Sequence, residues 1–298
     1  MCGACGAKPW CLRQPDAPPR SALRVLVAPR GGRGRLGAAR RRPAIALDSS
    51  LYLIVALGAI VAGFVQGLSG FAFGLVAMSF WAWTVDPRLA AVLATFGALT
   101  GQVIAAVTVR RGFDRALLLP FVLGGLVGVP LGVWLLPRLD VPLFKACLGG
   151  LLVIWCPAML MAGNLPRVSA GGRAADGVAG LVGGVCGGLG GFTGAIPTLW
   201  CTLRGLEKDV QRSVIQNFNL SMLLVTFSAY LGTGLVGVPM LPLLGIVALA
   251  VLVPVLLGAR LYIGISEAGF RKIVLGLLTL SGVALLVSSV PVLLARAG

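Results

Sequence analysis

The chain contains no histidine, and only nine of its 298 residues are acidic. None of those nine falls deep in a long apolar run, so a hydrolase or metalloenzyme would find neither metal ligands nor an acid–base pair. No enzymatic activity, metal or cofactor is expected. A proton or cation path through a membrane ordinarily uses a buried carboxylate or histidine, which the apolar runs also lack. No nucleotide-binding motif is present, which excludes direct coupling to ATP. Of the seven cysteines, Cys2 and Cys5 form a lone CGAC with no second CxxC, a poor zinc or redox site. Cys147, Cys156, Cys186 and Cys201 lie in apolar runs and read as small packing residues.

Charge is scarce as well, at 11%, whereas 58% of the residues are hydrophobic and the mean hydropathy is +0.97. That balance describes an all-α polytopic membrane protein. Apolar runs cover roughly 51–85, 89–109, 116–136 and 143–162, then 177–203, 213–231, 238–264 and 272–294. At about 1.5 Å per residue each is long enough to cross a hydrocarbon core of about 30 Å. The net charge of +16 does not point to nucleic acid, because residues 1–43 hold ten Lys/Arg and the rest sit in short loops such as RRGFDR (110–115) and RGLEKD (204–209). Residues 1–45 read as a disordered basic tail, either drawn to anionic headgroups or translated upstream of the native start.

The remainder reads as two repeats, 46–165 and 166–298, of four apolar elements each. At an offset of 121, Gly63, Gly67, Leu68, Gly70 and Phe71 fall on Gly184, Gly188, Leu189, Gly191 and Phe192. At an offset of 126, LFKACLGGLL (143–152) falls on GFRKIVLGLL (269–278). The first run of repeat 1, 35 residues from Leu51 to Val85, would make a straight helix of about 52 Å, so a break at its Gly-rich centre is expected. If that element crosses the membrane, the repeats are parallel; if it turns back, three crossings per repeat invert the second half. In the re-entrant arrangement, loops 110–115, 163–177, 204–212 and 260–272 share one side with eleven Lys/Arg, against about four on the other excluding the basic tail; in the crossing arrangement the count is about nine against six, so inversion is mildly favoured.

Inside the runs the polarity is neutral. Where a helix restarts after a glycine break, its first amides lack intrahelical acceptors and the dipole is positive, so an anion can be held without a buried cation. Gln66, Gly67, Ser69 and Gly70, with Gly188, Gly190, Gly191 and Thr193, are therefore candidate binding residues, Ser69 and Thr193 as hydroxyl donors beside such termini. The glycines at 63, 67, 70 and 74 are also spaced for close helix packing, the competing explanation. Gln216 and Asn217 of QNFN, with Thr95 as the offset partner of Gln216, join the candidates. Arg260, in LLGARLYIGI, either binds the anion from one mouth or snorkels to the headgroups.

The two Gly-rich stretches, FVQGLSGFAFG (64–74) and GGVCGGLGGFTGAIPT (183–198), each precede a short acidic loop and three helices. Together with LVGVPLGVWLLPRL (126–139) and LVPVLLGARLYIGI (252–265), they resemble the TauE/SafE, or sulfite exporter (TSUP), family over about residues 50–292. Ala195 stands where a partner of Gly74 is expected, and Pro197 has no counterpart in repeat 1. The resemblance implies a secondary transporter in the cell (inner) membrane, its partners the lipid bilayer and a small inorganic or organosulfur anion such as sulfite, a sulfonate or thiosulfate. A passive anion channel and a non-transporting membrane scaffold are the alternatives.

Overall fold

The computed structural model describes residues 49–108, 112–161, 168, 171–261 and 267–297, all within one unit, Ile45–Gly298. The basic tail and its CGAC pair lie outside the described residues. Among those residues there are ten α-helices and no strand. They are α1 (Ser49–Ser69), α2 (Phe73–Trp81), α3 (Pro87–Thr108), α4 (Arg115–Leu135) and α5 (Val141–Met161), then α6 (Gly172–Gly190), α7 (Ala195–Leu203), α8 (Lys208–Gly232), α9 (Leu241–Leu261) and α10 (Glu267–Ala297). Seven of them are long and apolar enough to span a bilayer: α1, α3, α4, α5, α8, α9 and α10. Among the described residues every expected apolar run forms helix, and the first run of each half is broken.

Both breaks fall on a glycine, Gly70 at φ +83° and Gly191 at φ +76°. An L side chain is strained in that region, which is why the interruption sits at these residues rather than elsewhere in the apolar run. After each break the chain turns back. Trp81, the last residue of α2, donates its indole N–H to the Ile54 carbonyl early in α1 at 3.3 Å, and its ring fills the space beside Gly58. In a continuous helix those residues would stand about 40 Å apart. In α6–α7 the Asp176 carboxylate accepts from Trp200 Nε1 at 2.7 Å and pairs with Arg204 at 2.7 Å, again joining the start of the element to its end. Both first runs are thus helical hairpins. Trp81→Phe removes one part-buried hydrogen bond from the first, and thermal unfolding in detergent should register a loss of about 1 kcal/mol.

The hairpins fix which loops lie together. At one end of the bundle Arg88 donates to the Pro137 carbonyl at 2.7 Å, Lys145 stands 5.2 Å from the Trp83 ring, and Arg296 pairs with Asp140. At the other, Asn217 and Ser213 donate to the Gly112 carbonyl, and Val168 N–H to that of Leu203. The helices pack reciprocally: α1 on α9 and α6 on α4, with α5 on α10 and α3 on α8. Small residues allow these approaches. A Cβ on Gly188 would lie 2.6 Å from the Val133 nitrogen of α4, and Gly67 likewise faces the backbone of Val255 and Ala259 in α9. The outward faces of α4, α9 and α10 carry exposed leucines and valines such as Leu123, Leu249 and Val287, as lipid contact requires.

Candidate functional site

The two breaks meet inside the bundle. A Cβ on Gly74 would lie 2.7 Å from the Gly191 carbonyl oxygen, and one on Gly194 would lie 2.9 Å from Phe71 Cβ. Only residues without side chains let the two turns approach this closely.

The turns differ in how their polar groups are satisfied. At the first, the Ser69 hydroxyl donates to the Val65 carbonyl at 2.8 Å and accepts from Ala72 N–H at 3.2 Å, covering an amide at the start of α2. Gln102 Nε2 donates to the Gly70 carbonyl at 2.5 Å. Gln66 donates to the Ala98 carbonyl at 2.9 Å, while its Oε1 is buried without a hydrogen bond. At the second, Gly191 N–H closes α6 on the Gly187 carbonyl at 2.8 Å, and Thr193 Oγ1 donates to Asn219 Oδ1 at 2.8 Å. Asn219 Nδ2 has no partner although the residue is 1% exposed. Thr95 is buried against Gly191, and Tyr230 donates to the Gly188 carbonyl at 2.8 Å.

A cavity of about 550 Å³ runs from the first break to the end of the bundle that carries Leu206, Lys208 and Leu261. Ser69, Phe71, Ala72, Thr198 and Gln216 line its inner part, Trp155, Met159, Leu275 and Leu278 an apolar wall, and Lys208, Asp209, Arg212 and Lys272 its outer part. A second cavity of about 20 Å³ lies between α1, α3, α8 and α9 among Gln66, Gly67, Gly70, Gly101, Gln102 and Gln216. It has room for about one water. Arg212 and Gln216 border both.

The structure therefore gathers Gln66, Gly67, Ser69, Gly70 and Gln216 around the cavities, and Thr95, Gly188, Gly190, Gly191 and Thr193 around the second turn behind them. Gly67 and Gly188 serve helix contacts, and Gly190 faces the Phe192 ring and Met78. Asn217 points elsewhere, to the Gly112 carbonyl at 3.1 Å. Arg260 is exposed in the last turn of α9 and borders neither cavity, a position where its cation offsets the helix dipole.

Sequence reasoning missed the basic residues of the large cavity. Lys208, Arg212 and Gln216 are spaced four apart from the start of α8, so they share one helix face, a pattern the sequence carries. One acid just outside the apolar runs is nevertheless buried. Asp176 is 1% exposed, because α6 begins at Gly172, five residues before the apolar run, and Arg204 and Trp200 compensate its charge.

Compared with known families, the chain matches TauE, described as sulfite exporter TauE/SafE, over residues 55–285. The chain belongs to the TauE/SafE family. Membership implies membrane transport of sulfur compounds or anions. The matched region runs from within α1 to within α10, so it takes in most of the first hairpin, all of the second and the helices between. No curated protein and no solved structure matches the chain.

Proposed function

We propose that this TauE/SafE member is a secondary transporter that carries small sulfur-containing anions, such as sulfite, a sulfonate or thiosulfate, by alternating access at the meeting point of its two hairpins. The observation that carries the reading is that the first glycine turn lines the inner end of the large cavity and meets the second turn directly behind it, with Lys208, Arg212 and Lys272 at the outer end. Backbone termini and neutral donors there suit an anion, and the basic residues raise its local concentration.

Two hairpins that start and end on one side leave three crossings in each half, so the halves run in opposite senses. That relation supports rocking of one half against the other about the shared turns. By sequence, the loops expected on the side of the cavity mouth hold eleven Lys/Arg against about four on the other side excluding the basic tail, which supports a cytoplasmic mouth. A cysteine at Glu207, in a cysteine-free background, should react with an impermeant maleimide only in inside-out vesicles.

The test is thermal unfolding of the purified protein in detergent with sulfite, thiosulfate, sulfate, taurine and short carboxylates. A sulfur oxyanion or sulfonate should raise the midpoint in proportion to the logarithm of its concentration. Absence of any anion effect would favour a packing scaffold. Neutralising Lys208, Arg212 and Lys272 together should raise the half-saturating anion concentration several-fold, about tenfold at low salt, and flatten its ionic-strength dependence.

A further inference from the structure

The two turns are not equivalent, and the difference points to one of them. Ser69 covers an amide of the first turn from within. At the second, Asn219 Nδ2 is a donor without an acceptor, and it lies at Gly194, the residue that caps α7: a Cβ there would be 2.7 Å from it. The positive end of the α7 dipole and a buried, unanswered N–H thus converge on the same place, an arrangement completed by a negative ligand. Thr198, one turn into α7, is 4% exposed, has an unpaired hydroxyl and reaches the wall of the large cavity.

Phe71 stands between cavity and donor. It follows Gly70 in the first turn, borders the cavity, and packs its Cβ against Gly194. Its ring rests edge-on against Trp155 with centroids 5.9 Å apart, and Trp155 Nε1 is held by the Ala195 carbonyl at 2.6 Å.

We propose that Asn219, Gly194 and Thr198 form an occluded anion site at the start of α7, and that Phe71, leaning on Trp155, is the aromatic lid separating it from the open cavity. The first hairpin then supplies the gate and the second the site. This assignment rests on the transport reading above and adds the residues that hold the anion and close over it.

Asn219→Asp is the informative variant. It keeps the acceptor for Thr193 but replaces the free donor by a carboxylate oxygen, which supplies the negative charge the α7 terminus lacks. With the full chain in detergent and sulfite as the probe, Asn219→Asp should unfold at or above the wild-type temperature without anion and lose the sulfite-induced rise. Asn219→Leu should raise the half-saturating sulfite concentration at least about tenfold, the scale for losing a hydrogen bond to a charged group. Phe71→Ala in proteoliposomes should speed sulfite release about tenfold with little change in half-saturation. Wild-type sulfite response in both Asn219 variants, with sulfite still raising the wild-type midpoint, overturns the site and leaves the transport reading standing. If no anion affects the wild type, both fall.

Discussion

Gly74→Val should abolish anion transport while the protein still inserts and folds. A Cβ at Gly74 would lie 2.7 Å from the Gly191 carbonyl oxygen and 3.1 Å from that of Gly190, both backbone atoms that cannot rotate away. The two methyl groups of valine would push further in the same direction. Overpacking of this kind costs about 1–3 kcal/mol, which a bundle of this size tolerates. The geometry of the paired turns does not tolerate it, because the site needs both termini in place. A displacement of about an ångström in a positioned constellation lowers rates by about 100-fold, and sulfite flux per reconstituted protein should fall by that much. Gly150→Val is the matched control: nothing stands within 4 Å of a Cβ there, and flux should stay at the wild-type level.

Arg204→Ala should give the largest loss of stability of any single charge removal among the described residues. Asp176 is buried at the base of the second hairpin and answered by Arg204 at 2.7 Å and Trp200 at 2.7 Å. Without the guanidinium a carboxylate is stranded out of water, at a cost of about 3–5 kcal/mol. Asp176→Asn combined with Arg204→Gln should recover most of that loss, since the asparagine keeps an acceptor for Trp200 and no charge is left unpaired. Denaturant titration of the single and double variants checks this. If Arg204→Ala and the double variant lose equal stability, the contribution of Arg204 is packing and not charge.

The helices were legible in the sequence because eight apolar runs admit little else in a bilayer. The breaks were legible because a run such as 51–85 is too long for one span, and only glycine takes the φ values seen at Gly70 and Gly191. Whether those runs crossed or returned was not legible. Loop charge leaned one way, but the deciding contacts, Trp81 with Ile54 and Arg204 with Asp176, join residues 27 and 28 positions apart. Asp176 escaped because hydropathy starts the run at 177, whereas the helix starts at Gly172. Lys208 and Arg212 escaped because they were read as loop charges that set topology. Once α8 begins at Lys208, they stand on the face of Gln216 and enter the cavity. Arg260, for which the sequence leaves anion binding and snorkelling open, lies exposed at a helix end and borders neither cavity.

The relation between the halves joins fold and function. The first helix of each half packs on the fourth helix of the other, α1 on α9 and α6 on α4, so neither hairpin is held by its own half alone. On the carrier mechanism proposed above, a shift of one half carries the other half's hairpin with it, and access changes at the turns that meet at Gly74 and Gly191.

Sulfite counterflow in proteoliposomes tests the central claim most directly. Vesicles loaded with unlabelled sulfite and diluted into a trace of labelled sulfite should accumulate label transiently and saturably, with Gly74→Val showing none of it. Label entry that is linear in concentration and unaffected by internal sulfite, or that persists in Gly74→Val, would contradict a carrier built on the paired glycine turns.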